Sequence, residues 1–280
     1  MIAYARRSAT SPAGPGSVPG DAQPGTGPVV RKLPSLSAVF PARNEEANLI
    51  PMAEGVLRVL PQVAHRWELI VVDDGSRDRT GALADEVARA RPAVRVVHRT
   101  ASRGYGAAVR AGLAAARYEN VFLTDGDRQF DPAQIGDLVA ALEHGDAVVG
   151  YRRTRADPWP RRLGGVAWNL LVRALFVLPV RDVNCAFKLF RREALADLEL
   201  RADGAMLPSE LMVRVVQRGL RVAEVPVAHF PRPCGAPSGG TLRVVTRALA
   251  ELVRLYAWLR TPRPRVAPPL SVLSGSPPPH

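Results

Sequence analysis

Two aspartates, Asp125 and Asp127, follow the apolar run 121–123 and are separated only by Gly126. If that run is a buried strand, residues two apart at its extended end point to the same side, so both carboxylates can face one point. Hard divalent cations such as Mg²⁺ take oxygen ligands and commonly combine one or two carboxylates with water and substrate phosphate. The pair therefore outlines a site for a metal and a nucleotide diphosphate, although Asp-Gly alone is also typical of a plain turn.

A second pair of aspartates, Asp73 and Asp74, follows the apolar run 67–72, which is typical of a strand buried on both faces. A helical segment, 81–90, comes next. In open parallel sheets ligands bind beyond the carboxyl ends of the strands, so we expect both aspartate pairs to share one crevice. Carboxylates at this place can accept hydrogen bonds from ribose hydroxyls or from base N–H groups.

A glycine-containing turn at 103–106 lies between a short predicted strand, 94–98, and a helix that ends at Ala116. Helix N-termini with small residues bind phosphate, and Arg103 would add positive charge there. The third glycine of the dinucleotide-binding fingerprint is missing, and this turn follows a later strand. Phosphate binding and a simple tight turn therefore both stay open for this segment.

Alternating strand-like and helical segments surround these turns. Continuous apolar runs bounded by turn residues indicate buried strands, and apolar residues three and four apart indicate helices. This alternation predicts an α/β, Rossmann-like fold with a mostly parallel central sheet flanked by helices. Asn44 or a neighbour is expected to cap the first helix. The predicted strands are 36–40, 67–72, 94–98, 121–124, 146–150 and 222–227, with a loop entering a strand at 181–190; the predicted helices include 49–60, 81–90, 132–143, 161–180, 209–218 and 241–260.

Two of the predicted helices carry more apolar surface than the others. The segment 161–180 is apolar almost all round, which is typical of a helix in a core or of one seated in a membrane interface. The segment 241–260 has an apolar stripe with Arg243, Arg247 and Arg254 beside it. Such a basic amphipathic helix can pack on its own domain or lie on an anionic membrane.

The composition favours an anionic partner. The chain has 280 residues and a formal net charge of +12, and nearly all of its 38 basic residues are arginines, since only Lys32 and Lys188 are lysines. Nucleic acid, acidic lipid and phosphate-bearing substrates would all suit this charge, and coding bias alone could also produce it. The two cysteines, Cys185 and Cys234, form no close-spaced metal motif and indicate a reducing compartment.

The two ends of the chain are rich in proline and small residues. Residues 1–33 are expected to form a disordered leader, and 261–280 a disordered Pro-rich tail. Residues 34–240 are expected to form one domain, followed by the basic helix 241–260. Because no apolar stretch of about 18 residues is present, no transmembrane helix is expected, and because no apolar region follows Arg6-Arg7, no signal peptide is expected. The predicted location is cytoplasmic, at the inner face of the membrane.

Five segments occur in the order typical of one enzyme family. Together they resemble the family 2 glycosyltransferases with a GT-A fold, and most of all the dolichol-phosphate mannosyltransferase group with its bacterial polyprenyl-phosphate relatives. The resemblance implies that 34–240 is the catalytic domain. The chain lacks the membrane span at the C-terminus that this group has, and the Gln-x-x-Arg-Trp element of processive synthases. The segments are FPARNEE at 40–46, VVDDGSRDRT at 71–80, RGYGAAVRAG at 103–112, TDGDRQFDP at 124–132 and RDVNCAFKLFRRE at 181–193.

The resemblance also implies roles for individual residues. Asp125, Gly126 and Asp127 would hold the donor diphosphate through Mg²⁺ or Mn²⁺, with Gln129 as a further metal-side residue. The family often has tyrosine at Arg43, and its better-known members have a lysine where this chain has Ser238-Gly239, a position for which Arg243 could substitute. The residues implied to contact the nucleotide are Pro41, Arg43, Glu45, Val72 and Asp74, supported by Asp73; those implied to face the donor phosphates are Arg152 and Arg232.

The expected reaction is transfer of a sugar, mannose or glucose, from a GDP- or UDP-sugar to a polyprenyl phosphate at the membrane surface, with inversion at the anomeric carbon. A lipid phosphate, with a second pKa of about 6, needs no strong base. The alternative acceptor is a soluble hydroxyl, which needs a base, and Asp182 and Glu210 are the candidates. A non-catalytic nucleotide- or nucleic-acid-binding module and an inactive lipid-associated scaffold are further alternatives. Four carboxylates at the crevice would repel a nucleic-acid backbone, so no nucleic acid is expected.

Overall fold

The structure is a computed structural model that describes residues 31–154, 156, 159–235 and 241–260. Most of the predicted leader, the predicted tail at 261–280 and the Ser238-Gly239 element therefore lie outside the described residues. The division into a catalytic domain at 34–240 and a following helix stays a prediction.

A seven-stranded sheet forms the centre of the fold, in the order β3-β2-β1-β4-β6-β5-β7. Strand β6 runs antiparallel to both of its neighbours, β4 and β5, and every other neighbouring pair is parallel. The predicted mostly parallel sheet is thus confirmed. The strands are β1 (Leu33–Ala42), β2 (Ala64–Asp73), β3 (Val94–His98), β4 (Asn120–Leu123), β5 (Ala147–Arg152), β6 (Lys188–Arg191) and β7 (Val222–Val227).

Helices cover both faces of this sheet. The predicted helix at 132–143 is divided, because Pro132 begins a short 3-10 turn before α4 and a second such turn, Leu142–His144, follows it. The helices are α1 (Glu46–Val63), α2 (Thr80–Ala90), α3 (Tyr105–Ala115), α4 (Ile135–Ala141), α5 (Trp159–Phe176), α6 (Arg192–Leu195), α7 (Leu207–Gln217) and α8 (Leu242–Arg260).

Alternate residues of the central strands build two cores, one on each face. On β1, Phe40 packs into the core beneath α1, while Val39 packs into the opposite core with residues of α3 and α7. Because side chains alternate along a strand, a strand that is covered on both faces must be apolar at every position. This is the reason that the strands appear in the sequence as continuous apolar runs.

The first helix begins next to Asn44, as predicted, but without a side-chain cap. Asn44 has a positive φ of 53° and does not cap α1, whose N-cap position is Glu45 without a side-chain capping bond. Instead the side-chain oxygen of Asn44 accepts a hydrogen bond from the backbone N–H of Arg77 at 2.9 Å. The backbone N–H of Asn44 donates to Ser76 Oγ at 3.0 Å. Asn44 thus joins the loop after β1 to the loop after β2.

The structure leaves much of α5 uncovered. Val172 is buried against the core, whereas Leu163 (63% exposed) and Leu170 (57% exposed) belong to an apolar face open to solvent. Packing inside a core, one of the two alternatives for this segment, is therefore wrong for most of the helix. The exposed large apolar residues of α5 are Trp159, Leu163, Val166, Leu170, Leu171 and Leu175.

Helix α8 divides its apolar residues between the core and the surface. Leu252 and Leu255 are buried in the core that also contains α7, so the helix packs on its own domain. Leu242, Val245 and Leu249 are exposed on the N-terminal half. Within the described residues, no helix has the length and apolar character needed to span a membrane.

Candidate active site

The Asp125-Gly126-Asp127 turn lies against the end of β1. The register pairs Val39 with Leu123, which brings Pro41 level with Asp125. A Cβ added to Gly126 would be 2.9 Å from the carbonyl oxygen of Pro41, closer than real Cβ atoms come to such an atom. Glycine is therefore required between the two aspartates because the backbones of two neighbouring strand ends approach each other there.

The two carboxylates of this turn are poorly neutralised by the protein. Asp125 Oδ1 is shielded from solvent and has no well-formed hydrogen bond in the described part of the chain; the buried Tyr105 hydroxyl, which also lacks one, is the donor beside this carboxylate. Burial raises the pKa of Asp125, and burial together with the nearby charge of Asp125 raises the pKa of Asp127 to about 7. A divalent cation would supply the missing charge and the missing partner for Asp125, so these residues fit a metal.

Few protein ligands are available for that metal. The described residues contain no group of three or more His, Cys, Asp or Glu side chains that could hold one. This agrees with a magnesium or manganese ion that takes two carboxylates from the protein and completes its shell with water and substrate phosphate. The Gln129 side-chain nitrogen donates to the carbonyl of Phe230 at 3.1 Å, and its backbone N–H donates to Asp127 Oδ1 at 3.2 Å. The metal-side role of Gln129 stays a prediction.

Arg232 connects Asp127 to the loop that follows β1. Its guanidinium forms an ion pair with Glu45, and Nη1 is 4.0 Å from Asp127 Oδ2. Its Nε donates to the carbonyl of Cys234 at 2.9 Å. The structure thus brings together three of the predicted site residues, with the half-buried side chain of Arg232 between Glu45 and Asp127.

Asp73 is the last residue of β2 and Asp74 follows it. The backbone N–H of Asp74 donates to the carbonyl of Ala42, at the end of β1, at 3.0 Å. Asp74 is buried and is held by Arg99, in an ion pair, and by Ser102 Oγ at 2.6 Å. Neither of these partners was predicted from the sequence. Their position directly after a strand that neighbours β2 was the signal that could have found them.

Asp73 has its own set of partners. The backbone N–H of Ser76 donates to its Oδ1 at 3.0 Å, and His98 Nδ1 is 3.1 Å from its Oδ2. Although burial alone would raise the pKa of Asp73, the hydrogen bonds from Ser76 and His98 lower it. Of the other residues predicted to contact the nucleotide, Pro41 and Val72 are buried at the ends of β1 and β2, and Arg43 is exposed.

The 103–106 turn rests on a loop that precedes α7. Gly104 has a φ of 121°, and a Cβ at this position would be 2.5 Å from the carbonyl oxygen of Asp203. Arg103 Nη2 is 3.2 Å from an oxygen of the Asp203 carboxylate, which Arg110 also contacts. Arg103 is 68% exposed, so its side chain can turn toward a ligand from this position.

Arg152 and Asp182, predicted to act separately, are bound to each other. Arg152 Nε is 2.6 Å from Oδ2 and Nη2 is 2.8 Å from Oδ1. The loop that carries Asp182 is anchored from below by the fully buried Lys188, whose Nζ donates to the carbonyl of Val183 at 3.1 Å and to that of Cys185. Burial lowers the pKa of Lys188. This geometry favours a role for Asp182 in orienting Arg152; its role as a base stays a prediction.

Glu210 has a structural role in this arrangement. It is 1% exposed on α7, and its carboxylate accepts hydrogen bonds from the backbone N–H groups of Arg201 and Ala202 at 2.7 to 3.0 Å. These bonds hold the loop on which the 103–106 turn rests. Because the carboxylate is buried and engaged, it is not open to an acceptor hydroxyl here, and the geometry favours a positioning role over that of a base.

Residues 37–199 match the family model described as Glycosyl transferase family 2. The chain belongs to this family. As a glycosyltransferase, it has sugar transfer as its class of reaction, and the resemblance found in the sequence is confirmed.

Two curated relatives are similar to most of this chain. The chain is 33% identical over 253 residues to the polyprenol monophosphomannose synthase of Mycolicibacterium smegmatis, which covers 84% of this chain and 94% of that protein. It is 32% identical over 240 residues to the dodecaprenyl-phosphate galacturonate synthase of Rhizobium johnstonii, which covers 84% of this chain and 70% of that protein. The similarity to polyprenyl-phosphate glycosyltransferases is thus confirmed over 84% of this chain.

Solved structures confirm the fold. Glucosyl-3-phosphoglycerate synthase from Mycobacterium tuberculosis, crystallised with Mn²⁺, UDP and glucosyl-3-phosphoglycerate, superposes with a TM-score of 0.64 at 25% identity, covering 80% of each chain. The same enzyme with Mg²⁺ and UDP gives a TM-score of 0.63 at 25% identity, covering 80% of this chain and 79% of that one. The predicted GT-A fold and divalent-metal dependence agree with these neighbours.

Proposed function

We propose that this glycosyltransferase transfers a sugar from a nucleotide-diphosphate donor to a polyprenyl phosphate at a membrane surface. The single observation that carries the proposal is the under-neutralised pair Asp125 and Asp127 beside Arg232. Such an arrangement suits a donor diphosphate with its divalent cation, because the diphosphate and the metal neutralise each other within it. The named activities of the curated relatives support the acceptor.

The donor nucleoside would lie between the ends of β1 and β2. There Arg43 and Glu45 follow β1, while Asp73 ends β2 and Asp74 follows it. The hydrogen bond from Asp74 N–H to the carbonyl of Ala42 keeps the two strand ends together. Pro41 and Val72 would form the apolar floor beneath the base. One relative is named for mannose and another for galacturonate, and the solved structural neighbour was crystallised with UDP-glucose, so GDP-mannose and UDP-glucose are both donors to test.

The diphosphate would lie over the Asp125-Gly126-Asp127 turn. A Mg²⁺ or Mn²⁺ held by Asp125 and Asp127, with Gln129 as a further contact, neutralises charge on the departing diphosphate when bound. Arg232, Arg152 and Arg103 would donate hydrogen bonds to phosphate oxygens, and arginine suits this because its planar fork matches phosphate geometry.

The engaged state of both candidate bases supports a phosphate acceptor. Asp182 is held by Arg152, and Glu210 is buried on backbone N–H groups. A phosphate monoester has a second pKa of about 6, so its oxygen is largely ionised at neutral pH and can attack without a base. The acceptor oxygen would form the bond to the anomeric carbon from the face opposite the leaving group. The bond from that carbon to the diphosphate breaks, and the electron pair leaves with the nucleoside diphosphate.

Two exposed apolar faces support a membrane location. The exposed apolar residues of α5 and of the N-terminal half of α8 lie on helices that meet at their C-terminal ends, where the rings of Phe176 and Tyr256 are 6.1 Å apart. A cleft of about 230 Å³ opens there, lined in part by Leu175 and Leu259. Arginines beside these faces and the net charge of +12 suit the anionic inner surface of a membrane. We therefore propose that the enzyme acts at the inner face of the membrane.

A small-molecule hydroxyl acceptor is the second candidate. The observation that favours it is the similarity to glucosyl-3-phosphoglycerate synthase, which was crystallised with phosphoglyceric acid in a further complex at a TM-score of 0.62. That acceptor also bears a phosphate. The two candidates differ in the atom that attacks, an ionised phosphate oxygen or a hydroxyl that needs a base.

A transfer assay tests the proposal. The purified protein is incubated with labelled GDP-mannose or UDP-glucose, Mn²⁺ or Mg²⁺, and vesicles that contain polyprenyl phosphate. We expect label in the organic-extractable lipid, and we expect Asp127→Ala to abolish metal-dependent donor binding while the circular dichroism spectrum stays unchanged. Asp131→Asn is the matched control, because Asp131 only caps the following 3-10 turn.

Each outcome of this assay is decisive. Nucleotide release without labelled lipid would replace the lipid phosphate by a hydroxyl acceptor. Donor affinity that survives Asp127→Ala in the presence of metal would exclude the role assigned to the aspartate pair.

A further inference from the structure

His98, the last residue of β3, lies between two carboxylates. Its Nδ1 is 3.1 Å from Asp73 Oδ2, and its Nε2 is 2.9 Å from Oδ1 of Asp85 on α2. A neutral imidazole has one N–H and can donate to only one of them, whereas an imidazolium donates to both. The hydrogen bond to Asp85, and that to Asp73 against the opposing effect of burial, raise the pKa of His98 above its usual value of 6.5.

Asp73 carries this contact toward the donor side of the crevice. Its Oδ1 accepts a hydrogen bond from Ser76 N–H at 3.0 Å, and Ser76 Oγ in turn accepts one from Asn44 N–H at 3.0 Å. Asn44 lies between Arg43 and Glu45, two residues assigned to the donor, and has a φ of 53°, which few residues adopt without local support. His98 is therefore connected through the side chains of Asp73 and Ser76 to the backbone of residues 43–45, the nucleotide loop.

The surroundings of Asp73 leave it little freedom. A Cβ at Gly81 would be 2.7 Å from Asp73 Oδ2, so the first turn of α2 can approach the carboxylate only with glycine at this position. The next residue after His98, Arg99, pairs with Asp74 in the same way. Consecutive cations thus hold consecutive aspartates, but the arginine stays charged at every physiological pH while the histidine can lose its proton.

We propose that His98 is a positioning residue for the nucleotide donor: its imidazolium holds Asp73, and through Ser76 the nucleotide loop, in the donor-binding arrangement. Donor affinity therefore falls as His98 loses its proton. The inference rests on the proposed function, because it concerns the same donor. The charged groups that act on His98 are Asp73 at the end of β2 and Asp85 on α2.

The pH dependence has a definite sign. At low pH the imidazolium donates to both carboxylates, and as the pH rises one of these two donors is lost. The nucleotide loop is then less well held, so the dissociation constant of the donor increases. The diphosphate of a nucleotide sugar is esterified at both ends and lacks the second ionisation near pH 6, so the donor itself does not titrate in this range.

Equilibrium binding of UDP-glucose and GDP-mannose at saturating Mn²⁺, between about pH 6 and 9, tests the proposal. For the wild-type protein we expect the dissociation constant to rise about three- to tenfold across this range, since His98 is partly exposed and solvent weakens its ion pairs. His98→Gln should show the weaker affinity at every pH. Asp85→Asn should keep the tight affinity at low pH and move the transition to lower pH. In both variants the turnover number at saturating donor should equal that of the wild type.

A matched control and a direct measurement complete the test. His65→Gln replaces an exposed histidine at the start of β2, far along the strand from Asp73. This variant should show the same dependence of the donor dissociation constant on pH as the wild type. The imidazole resonance that disappears in His98→Gln identifies His98, and its titration midpoint should coincide with that of donor binding.

The possible failures are distinguishable. If the donor dissociation constant changes with pH in the same way in the wild type and in His98→Gln, this inference is overturned and the proposed function stands. If His98→Gln does not fold, an unchanged midpoint in Asp85→Asn would overturn it instead. Absence of binding by both donors at every pH would overturn the proposed function, and this inference with it.

Discussion

Arg152 and Asp182 form a two-point ion pair, with 2.6 Å between Nε and Oδ2 and 2.8 Å between Nη2 and Oδ1. The pair joins the end of β5 to the loop before β6, and both side chains are almost fully buried. A guanidinium held in this way has a fixed orientation, which suits recognition of a phosphate. Two residues that the sequence suggested for different tasks therefore act as one unit.

Removal of either member of this pair should weaken donor use to a similar extent. For Asp182→Asn and Arg152→Lys we expect kcat/KM to fall about thirtyfold or more each, because half-broken buried pairs cost about 2 kcal/mol or more. The double variant should be little worse than either single variant, since residues of one unit are not additive. Steady-state kinetics measure this. A loss of kcat of several thousandfold in Asp182→Asn alone would indicate instead that Asp182 is the base.

Metal binding should release a proton below neutral pH. Without metal, burial and the charge of Asp125 raise the pKa of Asp127 to about 7, so Asp127 is largely protonated below that pH and must ionise to bind the cation. We expect the affinity for Mn²⁺ to increase about tenfold per pH unit up to neutrality and to level off above it. Calorimetry in two buffers of different ionisation enthalpy measures the released proton. Equal heats in both buffers at pH 6 would contradict the prediction.

Gly126→Ala should disable the site with little change of fold. The new Cβ would be 2.9 Å from the carbonyl oxygen of Pro41, so the turn that carries both aspartates must move. We expect a stability loss of about 1–3 kcal/mol and a much larger loss of activity, at least about a hundredfold. Gly136→Ala is the matched control, because a Cβ there meets nothing within 4 Å. Thermal melts and transfer assays on both variants provide the comparison, and equal activities would refute it.

Charges placed on the exposed apolar faces should release the enzyme from vesicles. Leu163→Asp on α5 and Leu249→Asp on α8 replace exposed side chains, so the melting temperature should change little while binding to anionic vesicles falls about tenfold or more. Ala82→Asp adds the same charge to α2, which packs on the other face of the sheet, and should bind vesicles as the wild type does. Co-sedimentation measures the binding, and equal losses in all three variants would show that only net charge matters.

The sequence by itself determined the family, the strands of the sheet and the place of the aspartates. Strands that are covered on both faces are apolar at every position, and their carboxyl ends carry the ligand-binding turns, so runs such as 67–72 locate both the sheet and the crevice. The predicted bounds differ from the observed ones mainly at the ends of elements. Periodicity alone could not decide whether α5 is buried, because a core and a lipid surface select the same apolar residues.

Only the tertiary structure decided which side chains meet. Strand β6 enters the sheet antiparallel between β4 and β5, so the strands that follow one another in the sequence are not always neighbours. The contacts of Arg232 with Glu45, of Arg152 with Asp182 and of His98 with Asp73 join residues far apart in the chain. No local pattern encodes such pairs, because they depend on the order of the strands and on the exact approach of their loops.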